Sequence, residues 1–506
     1  MSAYRDTILN LTAFLCGAVV MVFEIVGSRI LSPYIGTSTY TWTSLIGVIL
    51  ASLSLGYWLG GRIADRRPDV GILALMILAA GGLIAATALV KDVVLSLIAG
   101  IAIGIEIKAL VAALILFAPA SVCLGFVTPF AVRLKLRSID ETGGTVGRLY
   151  ALSTVGSILG TFAAGFFLIP FVGSVRTLYC LSALLIVLSA MLFPAVTRAG
   201  VGVVVLFFLS IAANEAQVYV LRERSSLYDI DTEYSRVQVF EMTDHVTGRP
   251  IKAIATDPYS IQSAAFTDSD DLVLAYTRYY HLVRHFRPGF RRVLLIGGAG
   301  YSFPKEYLRT YPDAAIDVAE IDPGMTEIAR RHFRLKDDPR LRVLHQDGRM
   351  AVNEAATGTY DAVLMDAFGS LFSVPTHLTT IEAVRGFHRI LADDGVVIFN
   401  LGSAISGDAS RFLHAELATY REVFPTVLAF KVNDTYSDER LQNIVIVALK
   451  AHAGPPLTSP DTFIAGLLAN HHDLSSSDRS LILTDDLAPV ESYNSIAQNI
   501  YLSSQR

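Results

Sequence analysis

The hydrophobic positions of this chain fall into two regimes. From Ile8 to Ala213 apolar residues run almost without a break. About 20 apolar residues carry a helix across a hydrocarbon core. Runs near that length predict spanning helices over residues 8–31, 43–61, 72–90, 109–134, 150–172, 178–194 and 200–213. A shorter run over 93–105 is either an eighth span or an interfacial segment, so residues 1–216 read as a multi-pass transmembrane domain of seven or eight helices. The first run follows a single arginine, Arg5, and continues into Glu24 and Arg29 without a small-residue cleavage site. It reads as a retained helix and not as a secretion signal.

After Asn214 the period changes. Short alternating stretches over 218–221, 236–241 and 250–255 predict strands of a β-rich lead-in over residues 217–285. From Arg291 onward strands alternate with helices: strands over 293–297, 316–321, 341–347, 362–366, 396–401, 427–432 and 443–449, and helices over 324–333, 381–391 and 411–423. Continuous apolar strands separated by helices predict a parallel sheet buried on both faces, a Rossmann-like α/β domain over residues 286–506. In such sheets ligands bind at the carboxyl ends of the strands.

Those ends carry candidate chemistry. The first strand runs into Gly297-Gly298-Ala299-Gly300, a turn that lets backbone approach a ligand closely. The second ends in Glu320-Ile321-Asp322, about 20 residues on, where an acid accepts from ribose hydroxyls. The third ends in Asp347-Gly348-Arg349, where an acid takes an adenine amino group, and the fourth ends in Asp366. The glycine turn alone is weak evidence; glycine and three acids at successive strand ends are much stronger. No third glycine completes the dinucleotide fingerprint after Gly300. The site after the third strand fits an adenosyl group with a methionine-like tail better than NAD.

Composition agrees with this division. Hydrophobic residues make up 52% of the chain and charged residues 17%, against about 25% charged in soluble domains. A net charge of −5 with no long basic run speaks against a nucleic-acid partner. Cys16, Cys123 and Cys180 lie in apolar stretches and form no CxxC, so they read as small buried hydrophobes, with no disulfide framework and no metal site.

The positive-inside rule gives conflicting orientations. Arg62, Arg66 and Arg67 follow one span, and Arg133, Lys135 and Arg137 follow another. The two loops share a face only if 93–105 does not cross, and the C-terminal domain then falls outside. We place that domain on the cytoplasmic side of the inner cell membrane because adenosyl cofactors are made there. Gly56-x-x-x-Gly60 and Gly156-x-x-x-Gly160 allow close helix approach, within the chain or at a homodimer face. Glu24, inside the first span, is either a site for a cation or amine or the ion-pair partner of Arg29.

Taken together, these residues resemble the spermidine synthase family, and more closely its bacterial membrane-fused branch. The resemblance rests on Ser32-Pro33-Tyr34, Gly60-Gly61-Arg62-Ile63-Ala64-Asp65-Arg66 and Gly147-Arg148-Leu149-Tyr150-Ala151 in the apolar half. In the polar half it rests on Leu295-Ile296-Gly297-Gly298, Glu320-Ile321-Asp322-Pro323, Asp347-Gly348-Arg349, Asp366-Ala367-Phe368 and Thr484-Asp485-Asp486, with Tyr234 and the segment from Asp257 to Gln262 in the lead-in. It implies aminopropyl transfer from decarboxylated S-adenosylmethionine, as co-substrate, to a small amine such as putrescine. It also implies that Gly297, Gly298, Gly300, Glu320, Ile321, Asp347 and Gly348 hold the cofactor and that Asp366 is the general base. Tyr234, Gln262, Tyr280 and His281 would line the substrate channel.

Three departures stand beside this. Gly300 occupies a position where the family usually carries an acid, Gly369 stands three residues after the base where a second acid is usual, and Leu282 replaces the acid of a Tyr-His-Glu segment. Two other readings therefore stay open: a methyl or alkyl transferase using intact S-adenosylmethionine, and a transporter or sensor with a nucleotide-binding domain. Asp361 reads as structural, while Asp485, Asp486 and His377 reach either the pocket or a surface turn.

Overall fold

The computed structural model describes residues 2–36, 38–101, 103–136, 142–225, 227–257, 260–367, 374–452, 454–474 and 481–504. The chain divides into two compact units, Met1–Arg224 with Asp229–Arg236, and Ser225–Tyr228 with Val237–Arg506.

The first unit is helical. Its elements are α1 (Ser2–Ile35), α2 (Thr39–Arg66), α3 (Val70–Ala99), α4 (Ile105–Leu116), α5 (Ala118–Gly125), α6 (Val127–Lys135), α7 (Thr142–Ala163), a π-helical turn (Ala164–Val172), α8 (Ser174–Leu192), α9 (Pro194–Ala199) and α10 (Val201–Ser225). Side-chain caps stand ahead of α2 and α3: Ser38 caps α2, and Asp69 Oδ1 accepts from Gly71 N at 2.8 Å ahead of α3. Small residues set the closest packing. A Cβ at Gly156 would lie 2.0 Å from Phe14 O, and one at Gly160 2.6 Å from Ala18 O, so α7 rides directly on the backbone of α1. Gly56 meets Val122 O and Gly60 meets Phe126 in the same way. Both small-residue spacings are thus used inside the chain.

Among the described residues five helices are long and apolar enough to cross a membrane: Asp6–Ile35, Thr39–Arg66, Val70–Ala99, Thr142–Val172 and Ser174–Leu192. A sixth is the pair Ile105–Leu116 and Ala118–Lys135, bent by 52°. At the bend Thr87 Oγ1 donates to Leu116 O at 2.8 Å, which satisfies a carbonyl outside the helical ladder. By length and composition the described residues thus give five or six spans, where the sequence predicts seven or eight. The 93–105 run is not a helix of its own, because its first residues continue α3 through Ala99. The 200–213 run lies in α10, whose apolar part is Val201–Ala216. The strand expected over 218–221 is also corrected: those residues extend α10, where helical continuity overrides the β-propensity of Val218 and Val220.

Two further observations concern the charged residues of this unit. Glu24 forms no ion pair among the described residues, so its pairing with Arg29 is overturned; Arg29 donates to Thr232 O at 2.7 Å. The segment Asp229–Arg236 is held to the bundle by a backbone hydrogen bond and an ion pair. Asp231 Oδ2 accepts from Ser174 N at 2.9 Å, and Arg236 lies 3.7 Å from Asp92, itself paired with Lys91 at 2.7 Å.

A four-stranded sheet of order β1-β2-β3-β4 follows in the chain, formed by β1 (Tyr228–Asp231), β2 (Arg236–Thr243), β3 (Pro250–Ala255) and β4 (Ser263–Phe266). A 3-10 helix (Ala275–Leu282) and α11 (Val283–Phe286) lead into the main domain. There β5 (Arg292–Ile296), α12 (Ser302–Thr310), β6 (Ala315–Ala319), α13 (Pro323–His332), β7 (Leu341–Leu344), α14 (Gly348–Glu354), β8 (Tyr360–Met365), α15 (Ile381–Ile390) and β9 (Leu391–Ser403) alternate. The chain closes with α16 (Arg411–Arg421), β10 (Thr426–Lys431), β11 (Gln442–Leu449), α17 (Thr462–Leu468), β12 (His471–His472) and α18 (Val490–Ser504).

The eight strands lie in the order β12-β10-β11-β9-β8-β5-β6-β7. Strands β5 to β9 are parallel, whereas β11 and β10 join antiparallel, which corrects the expectation of a uniformly parallel sheet. An antiparallel neighbour needs no helical crossover, and none lies between β10 and β11. The chain leaves β5 toward β6 and β7, then returns to place β8 on the other side of β5. The topological switch point therefore lies between β5 and β8, where open α/β sheets bind ligands. Val293, Leu294, Leu295 and Ile296 of β5 are buried, as a central strand covered on both faces requires.

The α1–α7 contact yields a test. Gly156→Val should lower the stability of the purified full-length chain by about 2 kcal/mol or more, since the added carbons have only backbone to displace. Gly202→Ala, with nothing within 4 Å of its added carbon, should leave the thermal midpoint in detergent unchanged.

Candidate active site

The ends of β5, β6, β7 and β8 place the acids and the glycine turn that the sequence singles out. The strand ladder continues one residue past each end: Gly297 N donates to Ala319 O at 2.9 Å, Glu320 N to Leu344 O at 3.0 Å and Asp366 N to Ile296 O at 2.8 Å. Gly297 has φ +95°, and a Cβ there would lie 2.4 Å from Asp366 O. Only glycine allows the first turn to come this close to the base candidate. Ala299 and Tyr301 also have positive φ, 43° and 52°, a conformation that costs non-glycine residues roughly 1–3 kcal/mol. Tyr301 is held there by burial and by a 2.8 Å hydrogen bond between its hydroxyl and Thr326 Oγ1.

Glu320 is buried at the end of β6. Its Oε2 accepts from Gly298 N at 2.8 Å and Ala299 N at 3.0 Å, and its Oε1 from Asp322 N at 2.9 Å. Burial pushes this carboxyl above the usual range, and the backbone donors oppose that shift. Glu320 thus clasps the glycine turn itself. Ile321 beside it is 39% exposed. Asp347 caps α14, its Oδ1 accepting from Arg349 N at 2.8 Å and Met350 N at 3.3 Å, while His377 Nε2 lies 2.8 Å from its Oδ2. Gly348 packs against β5, where a Cβ would meet Ile296 Cγ2 at 2.4 Å.

Asp366 lines the pocket at the end of β8. Burial pushes its carboxyl up to about 7, against the hydrogen bonds from Tyr276 and Tyr280 that pull it down. Tyr276 Oη donates to Asp366 Oδ2 at 3.1 Å, and Tyr280 Oη to Met365 O at 3.2 Å. A pocket opens beside them, lined by the glycine turn from Gly297 to Ala299, Asp366, Tyr276, Gln262, Ser302 and the Phe303 ring. Gln262 is fixed by Thr256 N, which donates to its Oε1 at 2.7 Å, and by its own Nε2, which donates to the buried Asp257 at 2.9 Å.

The structure brings together Gly297, Gly298, Glu320, Gln262 and Asp366, but places other expected residues elsewhere. His281 is buried with both ring nitrogens engaged, by Tyr311 and Glu306, away from the pocket lining. Tyr280 sits behind Tyr276, fully buried. Tyr234 belongs to the segment that packs with the helical unit and is 48% exposed. Tyr276 went unrecognised in the sequence, although its spacing of four from Tyr280 was a usable signal. At Gly300 a Cβ would lie 2.6 Å from Ser263 Oγ; Leu282 is core, and Gly369 lies outside the described residues. Asp361 proves structural, accepting from Arg291 N and Arg292 N and pairing with Arg287. Asp485 ties Thr380 to Arg349.

A glycine turn clasped by an acid, a second acid poised near neutrality and a pocket at the switch point define a Rossmann-like group-transfer domain. A family model, the spermine/spermidine synthase domain, matches residues 274–433. A polyamine aminopropyltransferase of Vibrio vulnificus is 30% identical over 220 residues, 43% of this chain and 69% of the relative. Polyamine aminopropyltransferase 1 of Streptomyces coelicolor is 27% identical over 449 residues, 78% of this chain and 76% of the relative. A probable spermidine synthase structure from Corynebacterium glutamicum covers 52% of this chain and 97% of its own at 20% identity and a TM-score of 0.44. The chain belongs to the spermine/spermidine synthase family and is an enzyme of the polyamine aminopropyltransferase kind.

The Asp366 environment predicts a pH effect on stability. Its folded-state pKa lies above the unfolded value, so the proton favours the folded chain at low pH. That contribution is lost as pH rises through about 7. From this group the thermal midpoint should therefore fall as pH rises from about 4 to about 7 and level off above that, and Asp366→Asn should flatten that part of the curve.

Proposed function

We propose that this enzyme transfers the aminopropyl group of decarboxylated S-adenosylmethionine to a primary amine, with Asp366 as the proton acceptor. The observation that carries this reading is the carboxyl at the end of β8, pushed up to about 7 and facing the pocket beside the glycine turn. Family membership supports the reaction class.

The chemistry follows from the groups in place. An alkylamine has a pKa near 10 and is mostly protonated at neutral pH. It becomes a nucleophile once a nearby carboxylate takes its proton. The amine nitrogen then forms a bond to the carbon next to the sulfonium, the carbon–sulfur bond breaks, and its electron pair stays on sulfur as a neutral thioether. Tyr276 donates to Oδ2 and so orients the carboxyl. The cradle fits a nucleoside tail: Gly297 and Gly298 have no room for side chains, since Cβ atoms there would meet Asp366 O at 2.4 Å and the Tyr301 ring at 2.7 Å. Glu320 reaches the ribose by sharing its carboxylate between the turn and the sugar hydroxyls, and Asp347 meets the adenine edge. Gly300 favours a second reading, transfer from intact S-adenosylmethionine, because no acid at that position opposes the donor's carboxylate.

We place the helical unit in a cell membrane, on the length and apolarity of its helices, with the enzymatic unit in the cytoplasm, where the donor is made.

Asp366→Asn should reduce turnover at least 100-fold while donor affinity, measured by calorimetry, changes little. In the wild type kcat/KM should rise with pH through about 7. Supplying both donor forms and identifying the product by mass spectrometry separates the two readings; full activity in the Asn variant refutes the base.

A further inference from the structure

His281 stands between the two walls of the pocket without lining it. One wall is the 3-10 helix Ala275–Leu282, which carries Tyr276 and Tyr280. The other is α12, whose first residues Ser302, Phe303 and Pro304 line the pocket just past the glycine turn. His281 is 4% exposed. Its Nε2 lies 2.9 Å from Glu306 Oε2 in the middle of α12, and its Nδ1 lies 2.7 Å from Tyr311 Oη just beyond the end of that helix.

The partners are fixed in turn. Thr310 Oγ1 donates to Glu306 Oε1 at 2.5 Å, and Arg309 lies 3.8 Å from the same carboxylate oxygen. The His281 ring packs against Phe303, Tyr311 and Phe463 at centroid distances of 5.5, 5.7 and 5.7 Å. Tyr311 Oη and Glu306 Oε2 thus contact opposite nitrogens of one buried ring. A buried ring with a directional hydrogen bond at one nitrogen, a carboxylate 2.9 Å from the other and three aromatic neighbours ties its backbone to α12 more tightly than apolar packing alone.

The next residue along, Tyr280, and Tyr276 one turn earlier supply the hydroxyls at the end of β8. We propose that His281 is a positioning residue for the transfer reaction: clamped by Glu306 and Tyr311, it locks the 3-10 helix to α12 and thereby sets where Tyr276 and Tyr280 meet the end of β8. The proposal rests on Asp366 being the proton acceptor. It gives His281 a role through Tyr276 and Tyr280 in place of contact with the acceptor amine.

The test uses purified full-length protein. His281→Phe keeps the ring volume and removes both nitrogens. It should lower kcat about 10-fold or more, since small displacements of reacting groups are costly, with KM and calorimetric donor affinity within about threefold. The rising limb of the pH profile should move to higher pH, because loosened tyrosine donors no longer pull the Asp366 carboxyl down. His281→Gln, which restores a donor toward Glu306, should recover part of kcat. Glu306→Gln and Tyr311→Phe should shift the profile in the same direction, and they carry the test if His281→Phe does not fold. An unmoved pH profile and wild-type kcat in these variants, with only a lower thermal midpoint, would reduce the cluster to core packing and overturn the proposal. A rise in KM with kcat unchanged would overturn it in favour of direct substrate contact. Failure of the underlying reading is seen separately, as full activity in Asp366→Asn.

Discussion

The close approach of two neighbouring strand ends governs this molecule. Where β5 and β8 lie side by side, Gly297 turns away with φ +95° and no side chain, and the backbone of Asp366 takes the space a Cβ would fill. Because the chain reverses direction of growth at this point, a crevice opens above the two strands. Because the crevice is walled by the 3-10 helix and α12, the Asp366 carboxylate loses water and its proton affinity rises. Burial, fold topology and chemistry are consequences of one another here. A larger residue at Gly297 would separate the strand ends and hydrate the acid together.

The rest of the pocket supports that contact. Glu320 draws the glycine turn onto β6 through two backbone N–H groups, and Tyr301 keeps its unfavourable backbone because its ring and hydroxyl are both used. The tyrosine at 276 serves two purposes. Its ring forms wall, and its hydroxyl fixes one carboxylate oxygen.

Much of this was legible in the residues. The strand-end order of glycine, Glu320, Asp347 and Asp366 is a pattern of type and spacing, and the parallel strands that carry it are continuous apolar runs. What escaped notice depends on geometry that spacing does not encode. His281 sits next to Tyr280 in sequence, yet a 3-10 turn sends it toward Glu306 and Tyr311. Residues 218–221 have strand-like composition but continue a helix begun at Val201. The first residues of 93–105 belong to α3, which extends past Lys91 and Asp92, whose charges would otherwise mark an end; Lys91 pairs with Asp92, and Asp92 also lies 3.7 Å from Arg236. Glu24 and Arg29 have helical spacing close to that of an ion pair, but Arg29 is drawn to Thr232 O instead.

The account stands on the protonation of one carboxyl, which can be observed without turnover. Isotope-edited infrared titration of the full-length protein, with the Asp366→Asn spectrum as the subtraction, isolates the Asp366 carboxyl stretch. The structure predicts a midpoint at about 7. A midpoint near 4, that of a solvated aspartate, would contradict it.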